Sequence, residues 1–342
     1  MVCVFCFLCG NFGVAECNNS SAPSVLIIGG GPSGLATAIE ARLNGCLVTV
    51  IEKRDSYSRL RGIGLWGYAI SLLGKWNVEI PEMELSVLSE WDEEGALSGG
   101  VYINHLEARL EERCKKIGVK KIHGEFQCFE GPQIALIKGE GGELRIPYDI
   151  IVGADGPHSY VRDLIGIEKQ HFGSAMGTVV IIPDLGNKVK FQISPILKQG
   201  HEFFRTLKLV SEVSFFAMQS PLECSKKDVR RVLESQGLSK DVRALDKGMM
   251  FFIENIPISL DQAVTFSNEA KSAILVGDAA ASGSFLMGSG ANTGLRAAEI
   301  AGWFFRDLQL DRDLAFQNFN KSMKEITDIL IKKNLFLFPS EE

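Results

Sequence analysis

The chain has 342 residues, of which 46% are apolar and 23% are charged, and its formal net charge at pH 7 is −6. This length is sufficient for a large hydrophobic core in one or two domains. The acidic balance and the absence of a lysine and arginine block argue against nucleic acid as a partner. No apolar run reaches the ~18 residues that a membrane-spanning helix needs.

Residues 1–21 form an apolar, cysteine-rich leader, for which three interpretations stay open. It is a disordered or mistranslated segment, a signal peptide without the usual positively charged start, or a site for an iron–sulfur cluster or zinc. The metal interpretation rests on a Cys-x-x-Cys-x-x-Cys spacing, but the fourth cysteine lies at an unusual distance. The cysteines concerned are Cys3, Cys6, Cys9 and Cys17.

The remaining cysteines are scattered singly along the chain, at Cys46, Cys114, Cys128 and Cys224. Isolated cysteines are typical of buried thiols in a reducing compartment. We therefore expect a cytoplasmic protein, with export or membrane association through the apolar leader as the alternative. The sequence leaves the oligomeric state open.

The first informative motif is a strand, a glycine-rich turn, a helix and a second strand that ends in an acid. Residues 24–28 predict the first strand, residues 35–44 the helix and residues 47–51 the second strand. This order is the full dinucleotide-binding fingerprint, in which the glycines allow a tight turn, a close approach of pyrophosphate and helix packing. The predicted ligand-binding residues are Gly29, Gly31, Pro32, Ser33 and Gly34, with Glu52 for ribose hydroxyls.

A basic loop follows the second strand. Arg54, Arg59 and Arg61 are candidates to hold a pyrophosphate or to flank a ring system, although a solvated loop would look the same. Lys53, Arg54 and Arg61 are included among the predicted cofactor-binding residues. Gly62-x-Gly64-x-x-Gly67 repeats the glycine spacing, but it follows no predicted strand, and we do not assign it to dinucleotide binding.

Two later segments repeat the pattern of a buried strand that ends near an acid and glycines. Asp155 and Gly156 end the first of them, and residues 157–162 then begin a helix. Gly277 and Asp278 end the second. A glycine-rich loop then opens a helix predicted over 293–307, whose N-terminus is suited to anions. The candidate residues of that loop are Gly288, Gly290, Ala291 and Asn292.

Together the three motifs resemble the para-hydroxybenzoate hydroxylase-like (group A) FAD-dependent monooxygenases. Residues 52–59 and the segment from Phe285 to Gly290 are most similar to the monooxygenase domain of the MICAL family. The resemblance implies that the first motif binds the ADP half of FAD and that Asp155 lies in a motif serving both FAD and NAD(P)H. It also implies that Asp278 holds ribitol or ribose hydroxyls and that the loop from Gly288 lies against the flavin.

The sequence thus predicts an α/β protein with a Rossmann-like FAD-binding domain built on a parallel sheet, and a smaller substrate domain built on a mixed β-sheet. The FAD-binding domain is expected at residues 22–171 and 257–310, the substrate domain at 172–256, and a C-terminal helix and tail at 311–342. The sequence also predicts three local elements: an amphipathic helix over 103–117, a small antiparallel meander over 119–146 and an apolar tail at 335–338 that packs on the body of the protein.

The chain departs from the family at Ala281, where histidine is common, and at Phe285, where proline is common. The arginine often found near Ile103 is missing as well. Trp66, Tyr68, Phe285 and Met287 are candidate walls of the flavin pocket, although core packing would explain each of them. No Ser-His-Asp set and no histidine metal cluster is evident in the sequence.

The predicted function is an FAD-dependent, NAD(P)H-consuming monooxygenase that hydroxylates an organic, aromatic substrate through a flavin hydroperoxide. Its partners would be NADPH or NADH, O2 and the small-molecule substrate, and no metal is expected. The alternatives are an FAD-dependent reductase of the geranylgeranyl reductase type and a non-catalytic FAD-binding regulatory protein. Flavin halogenases and disulfide reductases fit less well, because the Trp-x-Trp motif and a redox cysteine pair are missing.

Overall fold

Helices pack around a central sheet in the computed structural model of the chain, which describes residues 22–57, 61–87, 97–183, 192–194, 196–209, 213–220, 225–235, 237 and 239–338. The α-helices are α1 (Pro32–Leu43), α2 (Gly67–Lys75), α3 (Ile103–Lys116), α4 (Tyr160–Leu164), α5 (Lys226–Ser235), α6 (Ser239–Asp246), α7 (Ser289–Asp307) and α8 (Arg312–Asn334). Short 3₁₀ turns lie at Glu269–Lys271, Gly277–Ala279, Phe285–Met287 and Leu335–Leu337.

The strands follow in chain order. They are β1 (Ser24–Ile28), β2 (Leu47–Glu52), β3 (Gly62–Leu65), β4 (Glu84–Val87), β5 (Leu97–Tyr102), β6 (Lys120–Phe129), β7 (Ile134–Gly139), β8 (Gly142–Pro147), β9 (Ile150–Gly153), β10 (Lys169–Pro183), β11 (Gln192–Ile193), β12 (Leu197–Gln199), β13 (Glu202–Leu209), β14 (Val213–Ser220), β15 (Phe251–Ala263), β16 (Ser267–Asn268), β17 (Ala273–Leu275) and β18 (Ala281–Ser282).

The large sheet has the order β16-β17-β9-β1-β2-β6-β7-β8. Its five central strands, β17 to β6, are parallel, and β1 pairs with β2 from Ser24–Leu47 to Ile28–Ile51. Because helices cover both faces of a parallel sheet, its strands read as continuous apolar runs, as β1 and β9 do. The predicted meander is present as β6-β7-β8, but it extends this sheet, because the first half of β6 pairs with β2.

Helices α1 and α7 lie against each other on the large sheet. A Cβ at Gly294 would lie 2.1 Å from Ser33 Oγ, so glycine at this position lets the first turns of the two helices approach closely around the Ser33 side chain. The side chain of Glu40 likewise fills the space beside Gly302. This close packing brings the N-termini of α1 and α7 to the same edge of the sheet, where the strands β1 and β9 end.

The second sheet lies over that edge. Its order is β11-β13-β14-β10-β15-β18, with β12 paired to β13, and every described pairing in it is antiparallel rather than mixed. A bulge in β10 lies between His171 and Gly173. The long strands β10 and β15 run through the second sheet, and the chain enters this sheet from the large-sheet part of the fold through β10 and returns through β15. A small third sheet, β3-β5-β4, lies beside α2.

Other local predictions can be compared with the described residues. The helix predicted over 103–117 is α3, Leu337 and Phe338 of the apolar tail are buried, and Cys46 and Cys114 are buried thiols. The cysteine-rich leader, Arg59 and Cys224 lie outside the described residues. Among the described helices, none combines the length and the apolar character needed to cross a bilayer.

Candidate functional site

A cavity of about 930 Å³ opens between the edge of the large sheet and the second sheet. This volume lies within the range of small-molecule and cofactor sites. Its position at the carboxyl ends of parallel strands is where ligands bind in open α/β sheets. Most of the predicted site residues line it, namely Gly29, Gly31, Pro32, Ser33, Glu52, Lys53, Arg54, Arg61, Asp155, Gly156, Asp278, Gly288, Gly290 and Ala291.

The turn from β1 into α1 forms one end of the cavity. Gly31 is the N-cap of α1, no side chain caps the helix, and Pro32 occupies its first position. Gly34 does not line the cavity, because it lies against the backbone of the turn: a Cβ there would be 2.0 Å from Gly29 O. The first-turn N–H groups of α1 and the partial positive charge of the helix N-terminus are therefore available to an anion in the cavity.

Glu52 lies at the end of β2 and is buried. Its Oε2 accepts a hydrogen bond from Gly30 N at 2.8 Å, and its Oε1 accepts one from Arg54 N at 2.9 Å. The Arg54 guanidinium donates to both carboxylate oxygens at 3.0 Å. Burial alone would raise the pKa of Glu52, but the hydrogen bonds from Arg54 and Gly30 outweigh it and hold that pKa below its usual value.

The ionised Glu52 therefore holds the glycine turn and Arg54 together, in addition to the ribose contact that the sequence predicts for it. Arg54 also lies 3.5 Å from Glu107 Oε1, a fully buried carboxylate on α3. Lys53 is exposed and forms a 3.6 Å ion pair with Glu125, and Arg61 precedes β3 at the cavity wall. The basic residues of this loop thus line the cavity, although the Arg54 guanidinium is already ion-paired with Glu52 and Glu107.

Asp155 follows β9, and its carboxylate accepts hydrogen bonds at the start of α4, whose N-cap is Ser159. Its Oδ2 accepts hydrogen bonds from Tyr160 N at 2.7 Å and Val161 N at 3.1 Å, and its Oδ1 accepts one from Ser159 Oγ at 2.5 Å. Burial nevertheless raises the pKa of Asp155 above its usual value. Gly156 has φ +91° with no atom within 4 Å of the position of a Cβ, so the backbone there faces open space in the cavity.

The N-terminus of α7 forms a second anion-suited end of the cavity. Its N-cap, Gly288, has φ +61°, and no side chain caps the helix. Gly290 lies beside Asp278, whose Oδ1 would be 3.7 Å from a Cβ at that glycine. Asn292 does not line the cavity. It is fully buried, accepts a hydrogen bond from Trp66 N at 2.9 Å and donates to Gly64 O at 2.8 Å, which connects α7 to β3.

Gly277 also lies outside the cavity lining, packed against Ser33 of α1 with φ +60°. Gly62 and Gly64 belong to β3 rather than to a turn after a strand, in agreement with leaving them out of the fingerprint, yet both line the cavity.

Of the four predicted wall residues, only Phe285 lines the cavity. Trp66 and Tyr68 pack edge-to-face against each other at 5.9 Å, and Met287 packs in an apolar cluster.

The second sheet supplies lining residues that the sequence analysis missed. Val179, Phe215 and Ala217 of this sheet form an apolar wall with the predicted Phe285, which follows β18, and Arg205 lies among them with 4% of its surface exposed. Arg205 donates to Ser194 O at 2.9 Å and to Leu286 O at 2.5 Å. Burial lowers its pKa to about 9, so it is cationic at neutral pH. The only signal in the sequence is an arginine directly after two phenylalanines in a strand.

The fold brings together a Ser-His-Asp array that is not evident in the sequence. Asp261 Oδ1 and His171 Nδ1 are 2.6 Å apart, and His171 Nε2 and Ser174 Oγ are 3.1 Å apart. The bulge in β10 places His171 and Ser174 on the same side of the strand. Lys169 Nζ lies 2.8 Å from Asp261 Oδ2. None of these residues lines the large cavity, and we assign the array to stability.

The substitution Asp261→Asn tests this assignment. Burial would raise the pKa of Asp261, but hydrogen bonds from Lys169 and His171 hold it below the usual 3.8. Its stabilising effect is therefore present above pH 3.8 and is lost as the pH falls through the lower value in the folded protein. We expect the variant to lose about 1–2 kcal/mol of unfolding free energy near pH 7, because Asp261 is buried but Lys169 and His171 are partly exposed to solvent. Thermal unfolding should show this difference shrinking below pH 3.8, with ligand binding in the cavity unchanged.

A second polar cluster contains His123, whose Nε2 is 3.0 Å from Asp55 Oδ1 and whose Nδ1 is 3.2 Å from Glu140 Oε1. Hydrogen bonding to Lys53 O, together with Glu140, raises the pKa of His123. These three side chains are exposed, and a protonated imidazole between two carboxylates explains their arrangement without a metal ion.

The lining of the cavity fits FAD. Two uncapped helix N-termini face the same space, and glycines with positive φ, at Gly156 and Gly288, leave room where side chains would otherwise project. The buried carboxylate of Glu52 lies at the end of β2, the place where the fingerprint has the acid that bonds a ribose. The apolar wall from the second sheet is suited to a planar ring system.

Comparison with protein families agrees with this interpretation. The profile of an FAD binding domain matches residues 123–308, more than half of the chain, and that of an NAD(P)-binding Rossmann-like domain matches residues 27–61. Both segments contribute to the cavity.

Two of the curated relatives are F-actin monooxygenases. The chain is 31% identical over 171 residues to mical2b of Danio rerio, covering 45% of this chain and 9% of the relative. It is 25% identical over 286 residues to MICAL2 of Homo sapiens, covering 75% of this chain and 13% of the relative. The chain therefore spans only a small part of the length of these relatives.

Solved structures share the fold. 2-Methyl-3-hydroxypyridine-5-carboxylic acid oxygenase is 21% identical with a TM-score of 0.69, covering 92% of this chain and 91% of that one. The flavin-dependent brominase Bmp2 is 14% identical with a TM-score of 0.76, covering 92% and 86%. OxyS anhydrotetracycline hydroxylase from Streptomyces rimosus is 19% identical with a TM-score of 0.72, covering 93% and 69%.

Proposed function

Because this chain belongs to the FAD binding domain family, we propose that it is an FAD-dependent, NAD(P)H-consuming monooxygenase that hydroxylates an organic, aromatic substrate. The observation that carries the proposal is the pairing of two uncapped helix N-termini, those of α1 and α7, around one cavity with an apolar wall. A pyrophosphate at α1 and a ring system near α7 would use both ends.

When bound, FAD supplies the redox and oxygen chemistry, and the protein contributes binding, orientation and shielding. The α1 turn and the basic loop would hold the pyrophosphate, and Glu52 would accept hydrogen bonds from ribose hydroxyls. The N-terminus of α7 would stabilise negative charge on the ring. Gly288 leaves room for a flat group to approach the backbone, because nothing but Gly64 O lies within 4.0 Å of a Cβ there.

The second sheet is proposed as the substrate side. Val179, Phe215 and Ala217 exclude water from the ring side of the cavity, and Phe285 closes on β10, where Gly177 leaves room for its ring. Exclusion of water favours oxygen transfer to the substrate over wasteful side reactions. The Arg205 cation adds one polar group to this apolar wall, which would orient a substrate that carries an electron-rich or anionic group.

NADPH or NADH is proposed as a transient reductant, with O2 as the second substrate. The first glycine turn is occupied by the ADP half of FAD in this interpretation, so the nicotinamide nucleotide would approach from the mouth of the cavity. His158, in the loop after Gly156, lines both this cavity and a second, smaller cleft.

Anaerobic stopped-flow tests the proposed function. The protein is loaded with FAD, mixed with NADPH and separately with NADH, and the flavin absorbance is followed before and after O2 is added. We expect one nucleotide or both to bleach the flavin faster than free FAD under the same conditions, and O2 to restore the absorbance. A loaded protein that neither nucleotide reduces would contradict the proposal and would favour a reductase with another donor or a non-catalytic FAD-binding protein.

A further inference from the structure

The end of α8 is bonded to the loop that precedes α7. Asn334, in the last turn of α8, is fully buried. Its Oδ1 accepts a hydrogen bond from Ser284 N at 2.9 Å, and its Nδ2 donates to Ser289 Oγ at 3.2 Å and to Leu330 O at 2.8 Å. One amide side chain therefore joins both ends of the segment 284–289.

A second connection reaches the same segment from the second sheet. Gln219 of β14 is fully buried, its Oε1 accepts a hydrogen bond from Ser284 Oγ, and its Nε2 donates to Leu337 O at 2.7 Å. Ser284 Oγ in turn accepts a hydrogen bond from Leu286 N at 3.1 Å. The chain just after α8 and the strand β14 are thus bonded to the loop through buried polar groups.

The segment held in this way is the one that faces the ring side of the cavity. Ser284, Phe285, Leu286 and Gly288 line the cavity, whereas Asn334 and Leu337 do not. Because buried polar groups are costly to leave without partners, the loop is fixed in one place as long as Asn334 is present. The first residue of α7, Ser289, is fixed with it.

We propose that Asn334 is a positioning residue. It holds segment 284–289 and the N-terminus of α7 in a fixed position relative to the flavin, and thereby sets the affinity for FAD and the reduction potential of the flavin. The inference rests on the proposed function, since the loop is positioned relative to bound FAD. The electrostatic effect of a helix N-terminus falls off within its first turn. A shift of the loop would therefore change how strongly α7 stabilises negative charge on the reduced ring.

The same helix offers a matched control. Asn320 is partly buried; its Oδ1 accepts hydrogen bonds from Phe266 N at 2.9 Å and Thr265 Oγ1 at 3.0 Å, and its Nδ2 donates to Ser267 Oγ at 2.7 Å. Like Asn334, it therefore bonds one backbone N–H group and one serine hydroxyl. Asn320 and its partners do not line the cavity. Asn320→Ala should therefore weaken the fold without moving the flavin loop.

The test compares Asn334→Ala with Asn320→Ala by hydrogen exchange of the apoprotein. We expect the Ser284 and Leu286 amides to exchange about tenfold faster in the first variant, and the Phe266 amide to do so in the second. In FAD-loaded protein we expect a shifted reduction potential and about tenfold weaker FAD binding in Asn334→Ala alone. Equal flavin changes in the two variants, or no change of loop exchange in Asn334→Ala, would overturn the proposal.

A milder variant covers the case in which Asn334→Ala does not fold. Ser289→Ala removes one partner of Asn334 and keeps the rest of the network, so it should change loop exchange and the reduction potential in the same direction by a smaller amount. An unchanged Ser289→Ala would then overturn the proposal. If the wild-type protein binds no FAD, the proposed function fails, while the exchange of the loop amides in the apoprotein still decides whether Asn334 holds the loop.

Discussion

The substitution Gly34→Ala is expected to abolish stable FAD binding. A Cβ at this position would lie 2.0 Å from Gly29 O, a backbone atom that cannot move without opening the glycine turn between β1 and α1. Overpacking of this kind costs about 3 kcal/mol, which equals about 100-fold in affinity if the distortion falls on the cofactor turn. Titration of apoprotein with FAD, followed by flavin fluorescence, measures the change.

Gly74→Ala is the control for this substitution. Gly74 lies near the end of α2, is exposed and has no atom within 4 Å of the position of a Cβ. Alanine there should raise the unfolding free energy by about 0.5–1 kcal/mol, because glycine is a poor helix former, and should leave FAD binding unchanged. A Gly34→Ala protein that binds FAD as well as Gly74→Ala would show that the first glycine turn is not the cofactor site.

The second large effect is expected for Glu52→Gln. The substitution removes the charge that holds Arg54 and replaces an acceptor of the Gly30 N–H group, so partly buried donors lose their partners. We expect a loss of about 2–3 kcal/mol in unfolding free energy at pH 7 and FAD binding weaker by about tenfold. Chemical denaturation and FAD titration of the same preparation measure the two quantities.

The pH dependence of this stability loss shows whether the charge of Glu52 causes it. The pKa of Glu52 is held below its ordinary value of 4.5, so its contribution is present above pH 4.5 and is lost as the pH falls through the lower pKa of the folded protein. The stability difference between wild type and Glu52→Gln should therefore shrink below pH 4.5. Glu130→Gln, which breaks an exposed ion pair with Arg145, should change stability by no more than about 0.5 kcal/mol. Equal losses in the two variants would refute the role of Glu52.

The parts of the site that the sequence predicts are those in which the signal is local. The glycine turn, the acid at the end of β2 and the loop before α7 each combine a strand pattern with glycines a few residues apart. Such neighbours in sequence become neighbours in space through one turn, as Gly29 and Gly34 do.

The parts that the sequence does not predict depend on contacts between distant segments. Arg205 reaches the cavity because the second sheet lies over the first, and Asn334 reaches Ser284 across 50 residues. The array of Ser174, His171 and Asp261 requires a bulge in β10 and its pairing with β15, neither of which has a clear sequence signal. Trp66 and Tyr68 are candidates for the cavity wall by residue type alone, with core packing as the alternative, and they pack against each other without lining the cavity.

Titration of the apoprotein with FAD and, in parallel, with FMN tests the central claim most directly, namely that the cavity holds FAD by its ADP half at α1 and by its ring near α7. We expect one FAD to bind per chain, and FMN, which lacks the adenosine and the second phosphate, to bind at least about 100-fold more weakly. A protein that takes up no FAD, or that binds FMN as tightly as FAD, would contradict the assignment of the glycine turn before α1 to the ADP half of FAD.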